Sequence, residues 1–452
     1  MNIPSAMFRG NALMARVLRS IFWIFCGVGG GQILRLVSNL ILTKILFPEA
    51  FGLMALVSLV TLGLILFSDV GIGVSITQSD RGDEPDFLNT AWTLQILRGF
   101  VLYGLACALA WPVAQFYEEP QLTAIIPVAS MSLFIDGFSP TRIFTANRHL
   151  LMGRLTRLEL LSQVIGLVSL VILAYLMKSV MALAIGSVVS SSVRLVLTSM
   201  FLPGLCNRFR LDLQSARVII KFGKWIFVST ACHFVVGNGD RLVLGKYLSM
   251  AALGYYNIGF YLASFPVVMG HAIIGKIMIP VYREKPDGGS AENSRMLRRL
   301  RYGISASLMA LMAVMAVLGP ALVDLLYDAR YAQSGPIVTI VACAMLPSIV
   351  GLTYDRAALA AGDSKNFFIL TFIRALFQIV LLLIGAQAFG VIGAAIAMGV
   401  ATVCSYPAVI WLSRKHKVWD PVHDVVFGAL TCVVIAVALS LHMSRITELA
   451  NF

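Results

Sequence analysis

Charge is what this chain has least of. Asp and Glu number 22 in 452 residues, and all charged residues together make up 13%. Hydrophobic residues reach 59%, a load that a globular chain of this length cannot hide from water. Paired cysteines are missing too. Cys26, Cys107, Cys206, Cys232, Cys343, Cys404 and Cys432 stand singly, without CxxC or Cys/His spacing. That excludes a zinc or redox motif and leaves them as small core hydrophobes; no metal site and no catalytic group is expected. Nucleotide motifs are also lacking. "GHAIIGKI" at 270–277 fits GxxxxGK, but Ile277 stands where a phosphate loop needs Ser or Thr, and the stretch lies in an apolar run. Direct ATP use is not expected, and no cofactor is. Finally, no loop is long enough for a soluble domain; the longest, 282–302, is a basic linker containing "KPDGGSAENSRMLRRLR".

What is there instead is a series of apolar runs, each near the ~20 residues that span a hydrocarbon core. They predict spans at 21–46, 53–77, 88–112, 122–141, 159–177, 180–204, 225–247, 255–281, 303–323, 336–360, 367–389 and 391–412, with a further segment at 425–441. The chain reads as an all-α polytopic membrane protein. Arg9, Arg16 and Arg19 precede the first run, which is too long for a secretory signal and reads as an uncleaved span. With the N-terminus in the cytoplasm, 23 of the 35 Lys and Arg fall on the cytoplasmic side, five on the other side and seven within spans. This asymmetry is a positive-inside signature. It assigns the net charge of +13 to orientation and to anionic lipid headgroups, not to nucleic acid.

The chain also repeats. Shifted by 202 residues, "WIF" at 23 falls on "WIF" at 225, Lys44 on Lys246, Leu46 on Leu248, Gly52 on Gly254, and Ile72-Gly73 on Ile274-Gly275. An even number of spans per half returns the chain to the same side. Two six-helix bundles related by a pseudo-two-fold along the membrane normal are therefore expected, with a site at their interface. The predicted parts are a cytoplasmic segment 1–20, a bundle 21–204, a connector 205–224, a second bundle 225–412, and a basic segment 413–452 carrying a candidate thirteenth span.

Polar residues sit where lipid would penalise them. In the first span Gln32, Arg35 and Asn39 follow i, i+3, i+7 and share a helix face, which Thr43 extends. In its repeat partner Ser229, His233, Gly237 and Asp240 align, with Arg241 beside them. The second span carries Asp69, whose repeat counterpart is His271 in the eighth. Unsatisfied polar groups facing hydrocarbon cost several kcal/mol each, so these stripes are expected to line a shared hydrated cleft. The alternatives are plain: Asp240–Arg241 as a structural ion pair, His271 as a satisfied core histidine, and Arg98, Arg194, Lys276, Arg356 and Arg374 snorkelling to headgroups. Gly27, Gly29, Gly30 and Gly31 crowd the first span. Gly27 and Gly31 form GxxxG, a close-packing device, and the whole set suits a helix that both packs closely and bends as a gate opens.

Several stretches resemble one family. "GDRLVLGKYL" and "ALGYYNIGFYLASFP" are similar to the seventh and eighth spans of the Wzx-type polysaccharide flippases, members of the multidrug/oligosaccharidyl-lipid/polysaccharide exporter superfamily. "WPVAQFYEEPQL" at 111–122 resembles the family's third external turn, and "GPALVDLLYDARYAQSGPIV" at 319–338 its counterpart in the second half. "ALAAGDSKNFF" at 358–368 is similar to the loop before the eleventh span. The resemblance implies two six-helix bundles facing each other in a V. It implies passage of undecaprenyl-pyrophosphate-linked oligosaccharide repeat units across the bacterial inner membrane by alternating access, for surface or exopolysaccharide synthesis. Polysaccharide polymerase or export machinery are the implied partners. In the related lipid II flippases, arginines on the first, second and eighth spans line a cationic cavity; here Arg35 matches, while Asp69 stands on the second span and His271 with Lys276 on the eighth.

On that basis Arg35, Gln32, Asn39, Arg241 and His271 are expected to bind the pyrophosphate headgroup, with the glycines gating. Fixed arginine donors replace water at a phosphate through charge-assisted hydrogen bonds. Asp69 and Asp240 are candidates to couple H+ or Na+, with the membrane potential an equally open drive. The competing readings are a cation-coupled drug or metabolite exporter of the same superfamily, and a membrane polysaccharide polymerase. The short loops argue against the polymerase and against an enzyme in general.

Overall fold

A computed structural model describes residues 13–68, 71–79, 81–149, 151–284, 291–354, 357–358, 361 and 363–449. Among them there is no β-strand. The helices are α1 (Leu13–Ile45), α2 (Pro48–Phe67), α3 (Ile72–Gln78), α4 (Pro85–Tyr117), α5 (Leu122–Gly137), α6 (Arg142–Arg148), α7 (Met152–Met177) and α8 (Val180–Phe201). They are followed by α9 (Leu213–Tyr247), α10 (Met250–Glu284), α11 (Ala291–Leu326), α12 (Ser334–Gly351), α13 (Ser364–Lys415) and α14 (Pro421–Leu449). Left-handed residues stop the long helices sharply: Glu118 (φ 59°) ends α4 and Lys178 (φ 47°) ends α7. Ser179 then opens α8 by accepting the Met181 N–H.

Eight of the described helices are long and apolar enough to cross a membrane, and α5 with α6, bent by 61°, qualifies as a ninth, broken span. The 33 residues of α1 and the 35 each of α9 and α10 also suffice in length. The 52 residues of α13 would run to ~78 Å as one rod, far beyond a ~30 Å hydrocarbon core. Phe389 (φ −141°) and Gly390 (φ 55°) break it into two, at the boundary expected between spans 367–389 and 391–412. The segment expected at 425–441 is the interior of α14, whose 29 residues have a mean hydropathy of 2.4 in their most apolar window. At ~43 Å it is long enough to span.

The chain divides into two compact units: residues 1–46 with 57–231, and residues 47–56 with 232–452. The divide falls later than the expected connector 205–224, and its cause is visible. Side chains at the start of α4 act as a sheet edge for the extended chain. Asn89 Oδ1 accepts the Arg208 N–H (2.9 Å) and Thr90 Oγ1 the Asp212 N–H (3.0 Å), while the Thr93 hydroxyl sits between the N–H and carbonyl of Arg210 at 3.1 and 2.9 Å. Arg142 reaches the carbonyls of Ser199, Leu202 and Leu205. Asp212 then caps α9 by accepting the Ser215 N–H at 2.9 Å. Thus 205–212 is tied to the first unit, and the rest of the expected connector is already helix.

Residues 47–56 belong in space with the second unit, and here the 202-residue repeat becomes geometry. A Cβ on Gly52 would collide with the carbonyl oxygen of Met250, and a Cβ on Gly254 with that of Pro48. Gly52 and Gly254, like Pro48 and Met250, are repeat mates. Two helix starts therefore meet backbone to backbone in a self-reciprocal contact that only glycine permits. Phe51 packs edge-on to buried Tyr331 (centroids 5.8 Å) in the same region. Around it the second unit builds on α12, whose spanning window is 83% buried. The last helix is fastened at its first turn. Buried His423 bonds Ser305 Oγ through Nε2 (2.9 Å) and Asp424 Oδ1 through Nδ1 (3.1 Å). The Tyr354 hydroxyl donates to Asp424 Oδ1 at 2.7 Å, and Trp419 Nε1 donates to Asp424 Oδ2 at 2.9 Å.

Candidate functional site

The glycines and the polar stripe of α1 occupy different faces. A Cβ at Gly27 would lie 3.0 Å from Thr156 Cγ2, one at Gly30 3.0 Å from Leu160 Cδ2, and one at Gly31 3.1 Å from Gln163 Oε1. Those three glycines are the seam with α7; Gly29 meets nothing within 4 Å. Helix α1 runs unbroken through all four. At 3.6 residues per turn, Gln32, Arg35 and Asn39 lie roughly 110° round from that seam. Ile33 and Val37, 62% and 39% exposed, lie on the side opposite Arg35. Arg35 is exposed as well, with Gln32 and Asn39 half-buried beside it and Thr43 buried further along. So α1 has a packing face, an exposed apolar face suited to acyl chains, and an exposed cationic face turned away from it.

In the second unit, α9 and α10 are joined by a two-residue turn at Leu248–Ser249. The turn makes positions equidistant from it neighbours, which sets 240 and 241 against 257 and 256. Asp240 is 2% exposed and accepts the Tyr256 hydroxyl at 2.6 Å. Arg241 turns elsewhere: Nε donates to Asn257 Oδ1 (3.2 Å), Nη1 approaches Asn238 Oδ1 (3.4 Å), and the guanidinium lies 4.2 Å above the Phe260 ring. An Asp240–Arg241 ion pair is thus not made. Asp240 shares a helix face with His233 and Gly237 as expected, but the face does not meet one surface: those two are exposed, while the Asp240 carboxylate bonds Tyr256 in the α9–α10 seam. His271, further along α10, is exposed. Asp69 lies outside the described residues, as do the side chains of Ser229 and Lys276. The structure therefore gathers Gln32, Arg35 and Asn39 on one helix and sets Asp240 and Arg241 in a tyrosine–asparagine setting of their own. Tyr256, Asn238, Asn257 and Phe260 were not singled out from sequence; reflecting α9 onto α10 about the 248–249 turn would have found Tyr256 and Asn257.

A second polar group inside the membrane was also missed. Asp136 at the end of α5, Ser191 and Arg194 on α8, and Glu159 on α7 come together in the first unit, with Ser191 Oγ 3.5 Å from Asp136 Oδ2 and Arg194 Nη2 3.9 Å from Glu159 Oε1. Arg194, expected to snorkel, reaches Glu159 while much of its side chain stays exposed.

Comparison with known proteins fixes the family. The profile of the family described as "Polysaccharide biosynthesis protein" matches residues 41–336, well over half of the chain. The chain belongs to this family. Curated relatives are similar to it across most of its length. The lipopolysaccharide biosynthesis protein WzxC of Escherichia coli is 23% identical over 366 residues, covering 80% of this chain and 73% of WzxC. The succinoglycan biosynthesis transport protein ExoT of Rhizobium meliloti is 22% identical over 402 residues, 87% of this chain and 78% of ExoT. The teichuronic acid biosynthesis protein TuaB of Bacillus subtilis is 21% identical over 301 residues; the match spans 62% of TuaB's own length. Among solved structures, the lipid II flippase MurJ in an inward closed conformation superposes with a TM-score of 0.68 at 12% identity, covering 94% of this chain and all of MurJ. An inward-facing MATE family multidrug transporter gives 0.61 at 13% identity, over 85% of this chain and 94% of that one. These two likenesses are of fold alone: the chain shares the helical architecture of both.

Proposed function

We propose that this protein is a flippase for polyprenyl-pyrophosphate-linked oligosaccharide units, moving them across a bacterial inner membrane by alternating access, with its N-terminus in the cytoplasm. The observation that carries the reading is the cationic face of α1, exposed yet opposite the apolar face, in a chain whose relatives WzxC and ExoT are named for polysaccharide biosynthesis and transport. An arginine at mid-membrane costs about 2.5–3.5 kcal/mol on insertion scales, and a hydrated surface that receives a phosphate offsets that cost. Arg35 supplies a forked donor matched to phosphate oxygens, while Gln32 and Asn39, one turn to either side, add neutral donors. Arg241 and His271 are the second unit's cationic and titratable contributions. The polyprenyl tail stays in lipid, so the protein handles only the headgroup and sugars.

Deleting the gene tests this. The strain is expected to lose surface polysaccharide and to accumulate lipid-linked units on the cytoplasmic face. Normal export would refute the reading. Drug hypersensitivity with normal polysaccharide would point to a soluble-drug exporter instead, and accumulation of units already on the outer face would point to a polymerase.

A further inference from the structure

The fourth span is broken, and the break is where the first unit keeps its acidic charge. Helix α5 stops at Gly137 and α6 resumes at Arg142, turned by 61°. A helix end inside a membrane exposes carbonyls that need donors. Here they have them. Gln95 Nε2 lies 3.1, 3.2 and 3.1 Å from the carbonyls of Asp136, Gly137 and Ser139, and Trp92 Nε1 donates to that of Phe138 at 3.2 Å. Gly99 and Gly137 let α4 approach closely enough for this; a Cβ on Gly99 would stand 3.1 Å from Gly137 Cα.

With the backbone satisfied, one acceptor is left over. Asp136 Oδ1 is buried without a hydrogen-bond partner. Its other oxygen has only the long 3.5 Å contact from Ser191. The surroundings oppose a bare carboxylate three times over. Asp136 ends α5, where the helix dipole is negative. Gln95 of α4 gives its amide to the carbonyls, not to the carboxylate. Arg194, the cation whose field reaches Asp136, reaches Glu159 as well. From the other packed elements, α4 faces the site with uncharged Gln95 and Trp92, its Arg98 being turned to Ser68 Oγ (2.9 Å) and the Ile65 carbonyl (2.7 Å); Arg142 of α6 is turned to the carbonyls of the connector. Two carboxylates and one guanidinium sum to a single negative charge, and at the buried Asp136 Oδ1 an uncompensated charge is costly. One proton makes the set neutral, and a protonated carboxyl turns an orphan acceptor into a donor-bearing group.

We propose that Asp136 is a proton-binding site that the transport cycle loads and unloads, with Glu159 the standing counter-charge of Arg194. Loading adds one H+ to the Asp136 carboxyl, leaving Arg194 to Glu159. Unloading returns H+ to water and draws Arg194, one turn from Ser191 on the same face of α8, toward Asp136. Each exchange thereby moves a side chain linking α8 to α5 or α7. The proton's role in transport rests on the flippase reading above; its binding does not.

The test has two arms, both on the full-length protein. In lipid bilayers, infrared difference spectra recorded while pH is stepped should show a protonated-carboxyl C=O band that titrates, is missing from Asp136→Asn and persists in Glu159→Gln. Ser191→Ala should displace the band's midpoint, which keeps the site testable if Asp136→Asn does not fold. An unchanged band in Asp136→Asn, or an unmoved midpoint in Ser191→Ala, overturns the site. In the deletion strain, Asp136→Asn at normal membrane abundance should restore less than a tenth of the polysaccharide that wild type restores; full restoration overturns the coupling. If wild type itself restores nothing, the flippase reading fails while the infrared arm still decides the site.

Discussion

The reciprocal contact of Gly52 and Gly254 offers the sharpest test of the packing. Substituting Gly254 by Ala places a methyl group on the carbonyl oxygen of Pro48, and the mirror change Gly52→Ala places one on Met250. Backbone, not a side-chain tip, is what each methyl meets, so rotamer changes give no relief; the helix starts must move apart. Overpacking of this kind costs about 1–3 kcal/mol, against a gain of roughly 1 kcal/mol from replacing a helical glycine with alanine. A net loss of up to about 2 kcal/mol is expected from either change. The double variant should lose less than the sum, because the first methyl already opens the seam that the second would enter. Gly29→Ala and Gly237→Ala are the internal controls: nothing lies within 4 Å of either Cβ, so they carry the propensity gain without the clash. Thermal unfolding followed with a thiol-reactive dye, through the exposure of buried Cys343, ranks all five proteins. If Gly254→Ala unfolds no earlier than Gly237→Ala, the backbone contact is not where the structure puts it. If the double variant loses the full sum, the two glycines do not share one seam.

Three further expectations follow from the geometry. Arg35→Ala should abolish most polysaccharide export at normal membrane abundance and Arg35→Lys should recover part of it, since the point charge survives but the fork is lost; complementation of the deletion strain measures both. His423→Ala should loosen α14: it removes the bridge between Ser305 and Asp424 and leaves buried partners unmet, a loss of about 1–3 kcal/mol, read as faster protease cleavage near the 416–421 turn than in wild type. Asp363, at the start of α13, is held below the usual carboxylate range by the Asn366 amide and then by Lys415. Because folding lowers its pKa, its contribution is fully present above the unfolded value of ~3.9 and disappears as pH falls through the lower folded value. The midpoint gap between wild type and Asp363→Asn should close as pH falls through that lower folded value; a gap that persists undiminished below it would contradict the assignment.

Much of the architecture was legible because hydrocarbon imposes one simple rule, that backbone polar groups be satisfied within each span. Apolar run lengths located the long helices and the break in α13 but not their ends: the linker expected at 282–302 is helical from Ala291 onward, the span expected at 53–77 is divided between α2 and α3, and α14 extends beyond 425–441 at both ends. The repeat was legible for a different reason: Gly52 and Gly254 are constrained by each other's backbone, so their spacing from Lys44 and Lys246 persists where ordinary lipid-facing residues drift. Periodicity also put Gln32, Arg35 and Asn39 on one face. It failed at Asp240, because the 3.6-residue period says which residues share a face and nothing about what that face meets. Tyr256, across a two-residue turn, meets it first. The connector misled for a related reason. Its polar, basic composition reads as a free linker, yet Asn89, Thr90 and Thr93 on a helix 115 or more positions earlier take up its backbone groups.

Asp136 shows most clearly what the sequence alone withholds. In the linear chain it is one acid near the end of an apolar run, with nothing beside it in sequence to single it out. What sets it apart is a sequence of satisfactions: Gln95 and Trp92 answer the carbonyls that the broken helix leaves open, Arg194 pairs with Glu159, and Asp136 Oδ1 is a buried carboxylate oxygen left without a partner. None of Gln95, Trp92 and Arg194 is within 40 residues of it. In a membrane bundle, where each unmet polar atom costs so much, the informative residue is the one still unpaired after its neighbours have been accounted for. On the proposed function, Arg35 and Asp136 divide the work along the first unit, the one presenting fixed positive charge to a phosphate, the other holding a charge that a single proton can cancel.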